Sequence, residues 1–353
     1  MKAKQWLSGC GLACVIVLGA SAVRIPKNAE ARSVAPVHQP AFSSIRLLAV
    51  GDVNLGRGVG QAILNGDTLF PFVAVRDSFI HYDIVFANLE SQLSDQGGET
   101  QHPKNNLIFT GPPAGAIALR RGGVSVVSVA NNHALDYGVK ALRETIRYLD
   151  SAGVLHAGTS DDTLGMYEPA ILSLNDIRVA VFACTDVMNF EGTWWKKHVA
   201  SADTSGLLPR IRALRDSVDF IIVSYHGGDE YADRATLRTR EFAREVIAGG
   251  ADLFIGHHPH VPYGVEEDNG KYIVPSLGNF VFRQPDHFWT QRSFAFAAEI
   301  VKDTLGTRVS SFRCLPVRTG FQPEFLADSS ESDIILERIR TLSTHTLAQQ
   351  LLP

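Results

Sequence analysis

The chain is poor in the features that mark several protein classes. Four cysteines among 353 residues are too few for a disulfide scaffold, which packs several bridges into a short secreted chain. Two of them, Cys10 and Cys14, fall in the N-terminal segment, so only Cys184 and Cys314 concern the fold. No excess of basic residues exists: 33 Lys+Arg stand against 37 Asp+Glu, a net charge of −4. Nucleic-acid binding usually needs a basic face, and nothing here supports a nucleic-acid partner. Internal repeats are absent. The glycines of Gly51-Asp52-Val53-Asn54-Leu55-Gly56 are not followed by the Lys-Ser/Thr of a nucleotide-binding P-loop. What is present is 45% hydrophobic residues with 20% charged, enough apolar surface to bury a core and to exclude disorder for the bulk of the chain.

The ends read differently from the middle. Lys2 and Lys4 precede an uncharged run to Val23 with the small-residue site Ala20-Ser21-Ala22. A positive start, an apolar stretch and small residues are the parts of a secretory signal. The run also approaches the roughly 20 residues that span a bilayer. Residues 1–24 are therefore expected to be a signal peptide or an uncleaved membrane anchor, and either makes the protein exported and extracytoplasmic, secreted or membrane-anchored. Residues 25–43, rich in Ala, Pro and Ser, read as a linker. Residues 326–353 read as a C-terminal helical tail, with an amphipathic helix over 334–352.

Between these, residues 44–325 alternate apolar runs with helical patterns. Strands are expected at 46–50, 84–87, 124–129, 179–183, 220–224, 252–255 and 272–275, and helices at 114–121, 140–152, 206–217 and 236–249. Near-continuous Val/Ile/Leu runs are what strands covered on both faces look like. Strand–helix alternation implies an α/β fold with a largely parallel centre. The stretch 272–315 is richer in strands and predicts a mixed or second sheet. The Val179–Cys184 run reads as a buried strand with an unpaired thiol; a Cys184–Cys314 disulfide is the alternative.

Polar residues gather where the strands end. Val50 leads into Gly51-Asp52-Val53-Asn54, Ala87 into Asn88-Leu89-Glu90, and Ala130 into Asn131-Asn132-His133. Tyr225 leads into His226-Gly227-Gly228-Asp229-Glu230, and Ile255 into Gly256-His257-His258-Pro259-His260. In open α/β sheets ligands bind beyond the carboxyl ends of the strands, so one pocket would collect all five clusters. Asp52, Glu90, Asn132, His226, His258 and His260 offer carboxylate, amide and imidazole donors suited to hard or borderline dications. They are too many for one tetrahedral site and suit two ions bridged by a carboxylate, about 3.5–4 Å apart. His133, beside Asn132, is placed to protonate a leaving oxygen. His257 is expected to face away from the cluster, because neighbours in extended chain point oppositely.

The ordered motifs G-D-V-N, N-L-E, A-N-N-H-A-L-D-Y-G, H-G-G-D-E-Y, G-H-H-P-H and S-L-G-N-F are similar to the bacterial capsule-synthesis CapA family, associated with poly-γ-glutamate capsules. That family resembles a divergent branch of the calcineurin-like metallophosphoesterases. The resemblance runs from about Arg46 to Pro323. It implies an α/β, metallophosphoesterase-like two-sheet sandwich flanked by helices, one or two divalent ions (Mn, Zn, Fe or Mg), and metal-dependent phosphoesterase-like hydrolase chemistry in capsule polymer synthesis or export.

By the same resemblance Asp52 and His260 serve the first metal, Glu90 bridges, and Asn132, His226 and His258 serve the second. Asn54 completes the candidate metal set, although it stands where ordinary metallophosphoesterases have histidine. Glu90 replaces their bridging aspartate, and Asn131 replaces a glycine. His133, Asp136 and Glu230 form the candidate catalytic group. Asp136 either orients His133 or caps the following helix; Glu230 could ligate, act as a base or hold His226. Arg57, Lys104 and Asn279 form the candidate substrate-binding group: the two cations for an anion, with a solvated surface charge as the alternative, and Asn279 fixing a loop under the pocket. The partners implied are an anionic cell-surface polymer or phosphoester substrate, capsule synthase or export subunits, and the membrane if the leader is retained. A non-catalytic, membrane-tethered accessory subunit that binds or guides the polymer is the competing function. The insertion Trp194-Trp195-Lys196-Lys197 either grips a polymer or membrane surface or packs down.

Overall fold

A computed structural model of the chain describes residues 42–160, 165–344 and 347. The expected leader and most of the linker lie outside the described residues. Among the described residues no helix is long and apolar enough to cross a membrane.

Two mixed sheets form the body. The first runs, edge to edge, Glu324–Phe325, Gly306–Arg318, Arg292–Asp303, Ser43–Val53, Ile84–Leu89, Val126–Ser128 and Leu155–Ala157, with Asn279–Val281 also paired to the Ser43–Val53 strand. Its half from Ser43 to Ala157 is parallel, whereas the 292–303 and 306–318 strands form an antiparallel hairpin against it. The second sheet runs Glu266–Asp268, Lys271–Val274, Leu253–His257, Phe220–His226, Ile177–Thr185 and Ala170–Leu174. Its four central strands are parallel and its two edges antiparallel. The result is an α/β two-sheet sandwich flanked by helices, as the sequence implied, and the strand-rich region after Lys271 contributes to both sheets.

The period of two explains the layering. Along the second sheet Val179, Val181, Ile222, Leu253 and Ile255 join the core shared with Leu47, Phe86 and Val127 of the first sheet. Their neighbours Ala180, Phe182, Ile221, Val223 and Phe254 point the other way, onto Leu207 and Ile211 of helix Thr204–Leu214 and Phe242, Val246 and Ile247 of helix Leu237–Ala248. Strands clothed on both faces carry apolar residues at every position. Each of those two helices starts on a side-chain cap, Asp203 accepting from the Ser205 amide and Thr236 from the Thr239 amide. Helix Gly138–Ala152 buries Ala141, Leu142, Thr145 and Leu149, one stripe at helical spacing, and stops at left-handed Gly153 (φ 69°). The C-terminal helix Ser330–Leu342 is capped by Ser329 and packs Ile335 and Ile339 into the shared core.

This layering also decides the cysteines. Cys184 belongs to the helix-facing layer and Cys314 to the inter-sheet core; both are buried and free. The disulfide alternative is set aside because Cys184 points to the helix side of the second sheet, whereas Cys314 sits on strand 306–318 of the first sheet, in the core between the sheets. Within the insertion, Trp195 is buried with its indole N–H donating to the Gly192 carbonyl, and Trp194 stays exposed against Phe190.

Candidate metal centre

The inter-sheet layer ends in polar residues on both sheets. The alternation that sends Ile222 inward also sends Ser224 and His226 inward, and the one that sends Ile255 inward sends His257 inward too. His226 and His257 are register partners at the ends of their strands. From the first sheet come Asp52, at the end of strand 43–53, and Glu90, directly after strand 84–89. Asp52, Glu90, His226 and His257 are all fully buried.

Glu90 lies at the middle. Its Oε1 is 3.7 Å from His226 Nε2, 3.8 Å from His260 Nε2 and 4.0 Å from His133 Nε2, and has no hydrogen-bond partner. Donor atoms about 2.0–2.2 Å from one cation stand roughly 3–4 Å apart, so this spacing is too long for hydrogen bonds and right for ligands around an ion. Two groups of donors share Glu90: Asp52, Glu90 and His260, and Glu90, His226 and His258. A third joins the exposed Glu230 to His258 and His260. Asp52 Oδ2 and His258 Nδ1 are likewise buried without hydrogen-bond partners. A buried polar atom left unpaired costs about 1–3 kcal/mol, and three of them around one gap are accounted for by a cation. The donor set fits one or two divalent ions, with Glu90 in the bridging place.

Neighbouring groups orient the donors. His260 Nδ1 lies 2.9 Å from Asn279 Oδ1; donating there leaves Nε2 bare toward Glu90, the arrangement typical of metal-ligating histidines. Asn88 Nδ2 donates to Asp52 Oδ1 at 2.8 Å and faces His226 Nδ1 at 3.2 Å. Asn131 Nδ2 in turn donates to the Leu89 carbonyl, 2.8 Å, and to Asn88 Oδ1, 3.2 Å. Asn132 Oδ1 sits 2.9 Å from His226 Nε2, while its Nδ2 donates to Asn189. His258 and His260 take up φ of 93° and 60°, backbone states that cost non-glycine residues of order 1–3 kcal/mol and cluster at functional sites. The turn aims both imidazoles back at Glu90.

The electrostatics match a site built for positive charge. Burial, reinforced by the charges of Asp52 and Glu230, holds the Glu90 carboxyl well above the ordinary range. Burial also works to raise Asp52, but the imidazoles of His257 and His260 outweigh it and keep Asp52 well below that range. Burial and the neighbouring His258 push His226 well below its usual value, and burial with His260 brings His258 down to about 3. Both are therefore neutral imidazoles, the form that ligates.

His133 stands at the solvent side, 6% exposed. Its Nδ1 is 2.8 Å from Asp136 Oδ2 and its ring stacks on Phe109 at 4.3 Å. Helix 138–152 has no side-chain cap, so of the two roles weighed for Asp136 the geometry has it orienting His133.

Two expectations need correction, those for His257 and Asn54, while Asn279 and Lys104 each follow the structural reading rather than substrate contact. His257 does not face away: its Nδ1 is 3.2 Å from Asp52 Oδ1, because it is still in the strand and alternation carries it inward with Ile255, whereas His258 and His260 reach the gap from beyond the turn at His258. Asn54 does not present a free ligand atom: its Oδ1 accepts the Gly56 amide at 2.8 Å and closes the turn. Asn279 is fully buried behind His260, also donating to Gln284 and the Thr290 carbonyl, which makes it a positioning residue rather than a substrate contact. Lys104 lies exposed on the loop whose Asn106 carbonyl accepts from Arg57, with no contact to the donors among the described residues. Sequence reasoning named Asn88 and Asn131 within the strand-end clusters but gave neither a role. Their signal was available: amides at buried strand ends beside an acid must find partners there.

Residues 46–284 match the model of the family described as bacterial capsule synthesis protein PGA_cap. The chain belongs to this family. It is 28% identical over 287 residues to the capsule biosynthesis protein CapA of Bacillus anthracis, covering 79% of this chain and 68% of that protein. It is 32% identical over 252 residues to the PGA biosynthesis protein CapA of Bacillus subtilis, covering 69% of this chain and 63% of that protein. Among solved structures, the calcineurin-like phosphoesterase YfkN of Bacillus subtilis aligns over 88% of this chain and 98% of its own, at 14% identity and a TM-score of 0.45. A phosphatase from Mycoplasma pneumoniae aligns over 78% of this chain and 94% of its own, at 14% identity and a TM-score of 0.48.

Proposed function

We propose that this PGA_cap-family protein acts outside the cytoplasm in synthesis or export of an anionic capsule polymer such as poly-γ-glutamate, and that its centre is a divalent-metal hydrolase site for phosphoesters. The observation that carries the chemistry is the unpaired, buried Glu90 Oε1 ringed by three imidazole nitrogens at 3.7–4.0 Å. Asp52, Glu90 and His260 would hold one ion, and Glu90, Asn132, His226 and His258 a second. Ions held there supply positive charge to phosphoryl oxygens and activate water for attack at phosphorus. Asp136 fixes the His133 ring, and Nε2 of that ring carries the proton delivered to the leaving oxygen as its bond to phosphorus breaks. Asn279 and Asn88 keep His260 and Asp52 aimed. The curated relatives' names, capsule and PGA biosynthesis, support the polymer assignment, with synthase or export subunits as partners.

The withdrawal of Asn54 into its own turn favours a second reading, in which a thinner first site leaves a non-catalytic accessory subunit that guides the polymer. Metal analysis of the purified protein with a chromogenic phosphodiester assay separates the two. Bound divalent metal and turnover, both lost in His226→Ala and His258→Ala, are expected from the hydrolase. Stoichiometric metal without turnover toward phosphomonoesters or phosphodiesters would establish the accessory reading, and wild-type protein that takes up no metal would refute the metal centre.

A further inference from the structure

Arg57 occupies a position that sequence alone does not account for. It has a φ of 51°, a left-handed state that costs an L-residue with a side chain about 1–2 kcal/mol. Both of its peptide groups are held there by one residue: its N–H donates to the Thr100 carbonyl and its carbonyl accepts from Thr100 Oγ1, each at 2.9 Å. That strained backbone sets the guanidinium over two rings, 4.8 Å from the centroid of Phe109 and 5.4 Å from that of Phe282. The rings stand edge to face, 6.2 Å apart. Phe109 is the ring on which His133 stacks, and Phe282 packs 5.1 Å from His260. One aromatic wedge thus backs the proton-donor candidate and a ligand candidate, and Arg57 crowns it.

The guanidinium is incompletely used. One terminal nitrogen donates to the Asn106 carbonyl at 3.0 Å, while Nε is buried with no partner. Arg57 makes no ion pair among the described residues. Burial holds the guanidinium below its ordinary value, and the nearby Glu90 opposes that shift. Once cations neutralise Glu90 and Asp52, Arg57 becomes a fixed positive charge at the rim with donors to spare. Strain, cation–π seating and unsatisfied donors together describe a side chain kept ready for an anion.

We propose that Arg57 is the oxyanion-binding residue of this centre, contacting a non-bridging oxygen of the phosphoryl group whose leaving oxygen faces His133. This rests on the hydrolase reading above and narrows it. The site selects substrates with at least one anionic phosphoryl oxygen beyond those engaged by the ions, and it is not a site for a neutral ester or amide.

The test uses the full chain loaded with Mn²⁺. Metal content is measured, then inorganic phosphate is titrated calorimetrically into wild type, Arg57→Gly and Arg57→Lys, with glutarate as a carboxylate control. Arg57→Gly removes the side chain and relieves the strained φ together, so its melting temperature should stay within a few degrees of wild type. Metal content should not change, while phosphate affinity should fall about tenfold to a hundredfold, as for loss of a charge-assisted contact. Arg57→Lys should restore part of it, because a point charge replaces a planar fork. Full metal with unchanged phosphate affinity in Arg57→Gly refutes the assignment and leaves the hydrolase reading standing. Arg57-dependent glutarate binding without Arg57-dependent phosphate binding also refutes it, moving the residue to a carboxylate. Wild type that takes up no metal refutes both.

Discussion

Two glycines let a single loop close the back of the metal centre, and substituting one of them should damage fold and site together. A Cβ on Gly51 would lie 1.9 Å from the Gly278 carbonyl oxygen, and one on Gly256 would lie 1.9 Å from the Pro275 carbonyl oxygen. These residues immediately precede Asp52 and His257, so the 275–279 segment passes hard against both strand ends. In Gly51→Ala the offending atom is backbone, not a flexible side chain, and it must retreat by more than about 1 Å to reach ordinary contact. The movement breaks the Asp52 N–H to Gly278 carbonyl bond, now 3.0 Å, and draws Asn279 away from His260. Overpacking costs about 1–3 kcal/mol and a lost hydrogen bond about 1 kcal/mol, together about 2–4 kcal/mol out of the roughly 5–15 that hold a domain folded. Gly153→Ala is the comparison: φ there is 69° and nothing lies within 4 Å of the added carbon, so only backbone strain of about 1–2 kcal/mol applies. Urea unfolding of both variants, with metal uptake of each, reads the difference. Gly51→Ala should have the lower midpoint and reduced metal uptake, and Gly153→Ala should keep full uptake. Equal midpoints with equal metal content would mean that the close approach does not position Asp52.

Glu90→Gln should remove a pH effect. With its carboxyl held above the ordinary range by burial and by Asp52, folded metal-free protein keeps a proton that the unfolded chain releases near pH 4.5, so stability falls as pH rises from there through the raised value. The variant should flatten that decline and abolish metal-dependent stabilisation, which in wild type should reach about 2.7 kcal/mol at a hundred times Kd; scanning calorimetry at several pH values, with and without metal, checks this, and a metal response retained by the variant contradicts the bridging place of Glu90. Burial pushes the Cys314 thiol up to about 12 and, with the charge of Asp186, raises Cys184 further. Neither should react with iodoacetamide at pH 8 until the protein is unfolded, as peptide mass mapping would show; a Cys184–Cys314 disulfide or ready labelling of the native protein contradicts the layering.

The parts of the fold legible in the sequence were those whose environment imposes a regular apolar pattern, either continuous or at a fixed period. Strands covered on both faces must be apolar throughout, which is why Ile84–Leu89, Ile177–Thr185 and Phe220–His226 could be read to within a few residues. Helix 138–152 was legible because its buried stripe is set by a 3.6-residue period. Edge strands were not. Leu155–Ala157 runs exposed, half-buried, buried, and Glu266–Asp268 is three acids on an outer strand, so neither presents an apolar run. What identifies them is the neighbour they pair with, which a local window cannot contain. The C-terminal helix was placed four residues late, since its start is fixed by the Ser329 cap rather than by the first apolar residue.

The candidate site divides along the same line. Residue type and strand-end position were enough to pick out Asp52, Glu90, Asn132, His226, His258 and His260, because a buried strand end tolerates such groups only where something compensates them. The roles of Asn54 and His257 depended on backbone geometry that type does not encode. A tight turn takes the Asn54 oxygen for the Gly56 amide, and the strand's own alternation carries His257 inward with Ile255, while left-handed His258 ends that alternation so that His258 and His260 face the gap as well. Together these change the balance across the gap. The side holding His226, His258 and Asn132 has three donors besides Glu90. Among the described residues the Asp52 side has His260 besides Asp52 and Glu90, and His257 reaches Asp52 from behind, on the oxygen that Asn88 already holds. His257 therefore does not replace a missing ligand. With Asn88 it fixes the carboxylate so that Oδ2 alone faces the gap, and a site with few ligands gains by having each one immobilised before the ion arrives.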